Sequence, residues 1–225
     1  MSFSPPTADE LMQVEDLRSR LISSGVTCKI SDVGLLRFLR GRERVMDNAY
    51  RAIVRHAQWR EEHGVDTYSD YDIANEKEKR KAHIYGTDKN GRPLIYVYAR
   101  RHKTSDRDID EIHRFIIAII EEALSKALPH EERIVIVFDL AAFSFDCMDY
   151  EAVKILITVL QYNYPESLDV VHIINEPWIF KACWAIISGW LHPVTAKKVN
   201  FIRQAELQKF VHEESIPDDV QQSLP

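Results

Sequence analysis

The spacing of apolar residues divides the chain into two parts. From Thr7 to about His63 they recur at helical intervals, in ADELMQVEDLRSRLI, in DVGLLRFLR and in NAYRAIVRHAQWREEHG, with breaks at Gly25, Gly41 and Gly64. Three short helices forming a small N-terminal lobe are the expectation. A charged connector, DIANEKEKRKA, reads as helical, and then the period changes. HIYGTDKNGRPLIYVYAR predicts two strands joined by a turn at Asp88 to Gly91, with alternation in LIYVYA. DRDIDEIHRFIIAIIEEALSKAL predicts a helix whose acidic first turn suits the helix dipole. RIVIVFDL is a continuous apolar run, typical of a strand buried on both faces. The pattern repeats: MDYEAVKILITVLQYNY as helix, DVVHIIN as strand, residues 177–191 as helix, KVNFI as strand and ELQKFV as a last helix. EESIPDDVQQSLP reads as a loose terminus. Strands alternating with helices predict an α/β layer with a mostly parallel sheet and right-handed crossovers.

Residues 177–191, PWIFKACWAIISGWL, hold three of the four tryptophans, Trp178, Trp184 and Trp190. At about 100° per residue these fan out at roughly 120° intervals, leaving only Lys181 and Ser188 as a polar strip. Such a helix is buried in a core or meets lipid. At about 1.5 Å per residue it spans only ~22 Å, too short to cross a hydrocarbon layer of ~30 Å. Periodicity alone leaves a core helix and a helix with a second apolar partner equally open.

With 225 residues, 45% of them hydrophobic, the chain can build one large domain or a helical lobe attached to a larger one. A net charge of -6 excludes a wholly basic nucleic-acid binder and confines any anion site to a local patch. Three widely spaced cysteines, Cys28, Cys147 and Cys183, form no C-x-x-C pair and fit a reducing compartment. The N-terminus has no basic start followed by an apolar run. A cytoplasmic protein with transient, peripheral membrane contact is expected.

Enzyme signatures are missing from the sequence. There is no G-x-G-x-x-G, no G-x-x-x-x-G-K-[ST], no G-x-S-x-G and no H-E-x-x-H. Asp139, at the carboxyl end of RIVIVFDL, reads more simply as a cap on the following turn than as a catalytic group. His172 reads as a satisfied interior histidine, and Cys147 and Cys183 as core thiols. Charge placement says more. Lys29, Arg37, Arg40, Arg42, Arg44, Arg51, Arg55 and Arg60 make the N-terminal lobe locally basic. Arg100, Arg101, His102 and Lys103 form a second cluster, and Lys197 and Lys198 follow the tryptophan-rich segment. Cations beside apolar residues suit phosphate or a membrane surface, at roughly 1 kcal/mol each; a solvated helix face is the alternative.

The order DVGLLRFLRGRE, a W-R-x-x-x-G helix end, TDKNGRPLIYV, VFDLAAFSF, QYNYPESLDVVHIINEPWIFKACW and LHPVTAKKVNFI resembles the CRAL-TRIO lipid-binding domain, with the flavour of secretory-pathway phosphatidylinositol transfer proteins. The resemblance runs from about residue 31 to 212. It implies an N-terminal helical lobe, residues 1–70, and a lobe at 71–225 whose sheet floor and helices enclose a hydrophobic lipid pocket closed by a mobile helix. By position that gate is residues 177–191, with Trp178, Ile179, Phe180, Trp184, Ile187 and Trp190 as its apolar faces. Extracting a chain of about sixteen carbons without an apolar receiver costs on the order of 12 kcal/mol, at ~0.8 kcal/mol per CH₂, so such a pocket is what the task requires.

The same resemblance implies headgroup contacts. Glu166, after the Y-P of YPE, would accept from inositol hydroxyls, and Thr195 and Lys198 of P-V-T-x-x-K would hold the phosphate and ring. In the N-terminal lobe the first residue of the family's basic pair is Arg42, but the second is Glu43, repulsive toward phosphate unless Arg44 takes over or Glu43 turns to solvent. Ile134 and Ile136 stand where choline-lipid binders present hydroxyls. A structural ion pair is the alternative role for Glu166 and Lys198. The expectation is a non-catalytic, monomeric carrier that takes up one phospholipid, phosphatidylinositol first, with no metal or other cofactor, no nucleic acid and a transient membrane partner. A lipid-sensing module serving a lipid kinase or trafficking partner is the other class, and a sterol, tocopherol or retinoid the other cargo.

Overall fold

The computed structural model describes residues 4–221. Three helices, α1 (Ala8–Ser23), α2 (Asp32–Arg40) and α3 (Met46–Glu62), precede a short α4 (Ala74–Glu78). The first is closed by a reciprocal cap: Thr7 accepts from Glu10 N while Glu10 accepts from Thr7 N, at 3.2 and 3.0 Å. Ser31 caps α2 in the simpler way, accepting from Gly34 N at 2.9 Å. Leu17, Leu35, Leu39 and Ile53 are fully buried in a core shared by these three helices alone. The three helices and their breaks are therefore as the apolar spacing predicts.

Beyond α4 come β1 (Ala82–Thr87), β2 (Pro93–Tyr98), α5 (Ile109–Ser125), β3 (Ile134–Asp139), α6 (Tyr150–Tyr162), β4 (Leu168–Ile174), α7 (Phe180–Ser188), α8 (Pro193–Ala196), β5 (Val199–Phe201) and α9 (Asp218–Gln221). The five strands lie in sequence order. β1 pairs antiparallel with β2, Ile84 opposite Ile95, and the remaining pairs are parallel. The hairpin turn forms at Asp88 to Gly91, where Gly91 N donates to Asp88 O at 2.9 Å and Gly91 takes φ +83°.

β3 is buried on both faces, which accounts for its unbroken apolar run. One face, with Ile95, Ile136, Val171 and Ile173, looks toward α5, α6 and α7. The other, with Leu94, Tyr96, Val135 and Val137, is covered by Leu207, Val211, Ile216 and Val220. This corrects the expectation of a loose terminus: Ser215 O accepts from the Tyr96 hydroxyl at 2.7 Å, and the segment as far as Gln221 seals the sheet, with only 222–225 outside the described residues. ELQKFV is likewise not an α-helix but a 3₁₀ run, Gln204–Lys209, tight enough to keep Leu207 and Val211 on the sheet.

Two arginines fasten the N-terminal helices to the larger lobe, and a further pair ties α1 to α2. Arg37 pairs with Glu132 at 2.8 Å and donates to its carbonyl at 2.6 Å. Arg60 pairs with Glu121 at 2.7 Å and Asp66 at 2.8 Å, and the Tyr164 hydroxyl donates to Glu121 at 2.5 Å. Glu10 binds Arg40, whose hydrogen bonds hold its carboxyl down to about 2. Much of the basic character read into this lobe is thus spent internally.

Candidate functional site: an apolar cavity with a polar mouth

The space between the sheet and α5, α6 and α7 is a cavity of about 260 Å³. Its floor is every second residue of the strands, Ile95 and Val97, Ile136 and Phe138, Val171 and Ile173, an outcome of the two-residue repeat of a pleated strand. Ile116, Ile119 and Ile120 of α5 and Val153, Leu156 and Leu160 of α6 form the walls. Small-molecule pockets run to ~300–1,000 Å³, so this cavity lies just below that range.

The tryptophan-rich segment supplies a further wall. The helix expected over 177–191 is shorter than the spacing suggested: α7 covers Phe180–Ser188 only, with Pro177–Ile179 in a turn, Gly189 as C-cap and Pro193 opening α8. Phe180, Trp184 and Ile187 line the cavity. Ile179 and Trp190 pack at its margin, Trp190 edge-on to Tyr150 with centroids 5.8 Å apart. Trp178 stands 82% exposed and Ile186 49%. The tryptophan fan therefore divides into one side chain inside, one at the margin and one in solvent.

At the end of the cavity near the start of β4 lies a polar cluster. Thr195 lines the cavity from α8. Lys198 donates to Leu168 O at 2.8 Å, and its ammonium lies 3.6 Å from Glu166. Glu166 takes a left-handed backbone, φ +57°, which turns its side chain out of the loop. Lys198 and Glu166 thus lie together, and Thr195, three residues before Lys198, lines the cavity. Gly41 closes the distance to the N-terminal lobe: a Cβ there would meet Pro165 Cβ at 2.9 Å, so the Arg42 loop sits against the YPE turn.

Arg42 is half-buried, donating to Gly41 O at 3.0 Å, and burial together with the nearby Arg55 lowers its pKa. It faces a groove shared with Arg55, Lys154 and Tyr162. Glu43 and Arg44 both adopt left-handed conformations, φ 55° and 59°, and both are exposed. Glu43 is exposed to solvent. Arg44 does not join Glu166; its carbonyl accepts from Gln13, and its charge helps hold Glu10 ionised. Ile136 faces the cavity as expected, while Ile134 packs in the same core without lining it.

Sequence reasoning missed two features. Gln161 lines the cavity with its Nε2 buried and without a partner; its place just before YNYPE was the only signal. At the far end, Glu76, Lys81, His102 and Asp149 line an otherwise apolar wall. In sequence His102 belongs to the basic cluster with Arg100, Arg101 and Lys103. Instead Arg100 is bound to Asp139 and Arg101 to Asp219. Asp139 also accepts from Ala141 N and Asn175, fixing the turn after β3 as the simpler expectation had it. His172 is interior but not satisfied: its Nδ1 has no partner, the ring packing on Phe210 at 4.6 Å. Cys183 is a core thiol, whereas Cys147 lines the cavity from a 3₁₀ turn.

The chain, with its sheet-floored apolar cavity walled by helices, belongs to the CRAL/TRIO domain family, whose profile matches residues 77–221. Among curated relatives, the phosphatidylinositol transfer protein CSR1 of Eremothecium gossypii is 33% identical over 95% of this chain and 54% of its own length. A CRAL-TRIO domain-containing protein of Schizosaccharomyces pombe is 33% identical over 85% of this chain and 45% of its own. The SEC14 cytosolic factor of Eremothecium gossypii is 27% identical over 94% and 75%. The chain spans about half the length of the first two. The crystal structure of Sfh5 superposes with a TM-score of 0.69 over 93% of this chain and 85% of that one at 18% identity, a likeness of fold. No described helix is long and apolar enough to cross a membrane, and no described cluster of His, Cys, Asp and Glu could hold a metal.

Proposed function

We propose that the protein is a non-catalytic carrier that takes a single phospholipid, phosphatidylinositol first, from a membrane surface into the cavity. The observation that carries this is the continuous apolar cavity, whose lining includes Thr195, three residues before the Lys198 that reaches Glu166. The acyl chains displace no polar group along the strands and α5. The phosphate meets the Lys198 ammonium, inositol hydroxyls donate to Glu166, and the unpaired Gln161 amide faces the ester region. α7 is the gate, hinged at the Pro177–Ile179 turn and at Gly189. Its exposed Trp178 and Ile186 supply the membrane contact, with Lys181 beside them. The relative named as a phosphatidylinositol transfer protein supports the choice of lipid.

The test is mass spectrometry of an organic extract of protein incubated with mixed vesicles, followed by vesicle-to-vesicle transfer. Stoichiometric phosphatidylinositol with transfer is the expected result. No bound lipid and no transfer would sink the proposal. Loading without transfer would favour a module that presents lipid to a kinase or trafficking partner.

A further inference from the structure

The far end of the cavity bears a charged cluster with no place in the headgroup assignment. Lys81, Glu76 and Asp149 are more than nine-tenths buried. Lys81 Nζ lies 2.8 Å from one Glu76 oxygen and 3.1 Å from the other, and 2.9 Å from His102 Nδ1. His102 Nε2 lies 3.1 Å from Asp149, which also pairs with Arg107 at 2.9 Å. The other Asp149 oxygen caps α6, accepting from Glu151 N and Ala152 N. Between two fixed neighbours the imidazole accepts at Nδ1 and donates at Nε2, and so is neutral. Burial lowers its pKa in agreement.

An ammonium has three N–H groups. Lys81 shares one between the two Glu76 oxygens and gives one to His102, leaving a third with no acceptor among the described residues. Every cation of the cluster already has a carboxylate, Lys81 and Lys79 on Glu76, Lys79 also on Asp106, and Arg107 on Asp149 and Glu151, so an anion arriving there would add an unpaired buried charge. A neutral oxygen would satisfy the remaining donor at no such cost, whereas a pure hydrocarbon would leave it unmet. Asp149 and Gln161 mark the two ends of α6, about 18 Å apart at 1.5 Å per residue, so this subsite lies one long alkyl chain away from the mouth.

We propose that Lys81, oriented by Glu76 and His102, forms a second polar subsite that binds a neutral oxygen, a hydroxyl or carbonyl, on an otherwise apolar ligand. This rests on the carrier assignment, because it requires that the cavity hold a hydrophobic molecule. It requires nothing of the headgroup residues.

The test loads the full chain from phosphatidylcholine vesicles carrying tetradecanol, tetradecane and tetradecanoate at pH 7. The ratios extracted with the protein are then compared between variants, so that vesicle partitioning cancels. The alcohol-to-alkane ratio should be about tenfold higher for the wild type than for Lys81→Met/Glu76→Gln, which removes both charges together. Tetradecanoate should not outcompete the alcohol. A second measurement needs no variant: the ring nitrogens of His102 in the wild type should shift by NMR with tetradecanol and not with tetradecane. Equal ratios in wild type and double variant, preference for the carboxylate, or unmoved His102 resonances would overturn the subsite alone. Failure of the wild type to take up any of the three would overturn the carrier assignment and the subsite with it.

Discussion

Replacing Lys198 by methionine keeps the aliphatic stem and removes the ammonium, which separates a headgroup ligand from a structural brace. In the folded chain that ammonium does two things: it donates to Leu168 O at 2.8 Å at the start of β4, and it lies 3.6 Å from Glu166, whose side chain is 41% exposed. An ion pair to so exposed a carboxylate contributes about 0–1 kcal/mol, and the hydrogen bond to the carbonyl about 1.5 kcal/mol. Lys198→Met should therefore lose about 2 kcal/mol of stability, and Glu166→Gln less than about 1 kcal/mol. A bound phosphate adds a charge-assisted contact of about 1.5–3 kcal/mol, so Lys198→Met should load ten- to a hundredfold less phosphatidylinositol, at 1.4 kcal/mol per factor of ten. Capacity for neutral lipid should be unchanged, because the walls are untouched. The assay is loading from vesicles with equal phosphatidylinositol and diacylglycerol, read by mass spectrometry, with urea unfolding alongside. If both variants lose stability as stated while the ratio of the two lipids stays that of the wild type, the pair is a brace and the headgroup assignment is wrong.

Burial holds His56 neutral, its pKa lowered from 6.5 to about 4. The unfolded chain takes up the proton first, so stability is full above about pH 6.5 and falls as the pH drops toward 4, by roughly 3 kcal/mol in all; His56→Gln should flatten the urea midpoint between pH 7.5 and 4.5, and a flat wild-type profile would refute the assignment. Trp178→Ala should change stability by less than about 0.5 kcal/mol yet weaken vesicle binding in a co-sedimentation assay; unaltered binding would remove Trp178 from the docking surface. Gly86→Ala meets both a left-handed backbone, φ +63°, and Ser215 Cα at 2.8 Å, so it should cost about 2 kcal/mol and expose 213–221 to limited proteolysis, whereas unchanged protease resistance would mean that the segment tolerates displacement.

Much of the fold was legible because hydrophobic periodicity reports which face of an element is covered. The three N-terminal helices, the hairpin and the doubly buried β3 all follow from it. The segment 177–191 was legible as apolar but not as an element with ends. Its helix stops at Ser188 because Gly189 caps it and Pro193 starts another, while the apolar spacing runs on through both. The terminus after Glu213 was misjudged for the opposite reason: Ile216 and Val220 are too few to make a pattern, yet two side chains suffice to cover a strip of sheet already apolar on that face.

By itself, then, the sequence determined the alternation of strands and helices, the motifs that mark the family, and the residue types at the mouth. These are local properties, or properties of order along the chain. Only the tertiary structure decided which charges remain available. Arg37, Arg40 and Arg60 are consumed by carboxylates from distant segments, Arg44 faces α1, and Glu43 is exposed to solvent. His102, which in sequence belongs to a basic run, ends inside the cavity beside Lys81 and Asp149. Charge in a sequence is a count, whereas the potential at a site depends on which opposite charges the fold brings within a few ångströms of it.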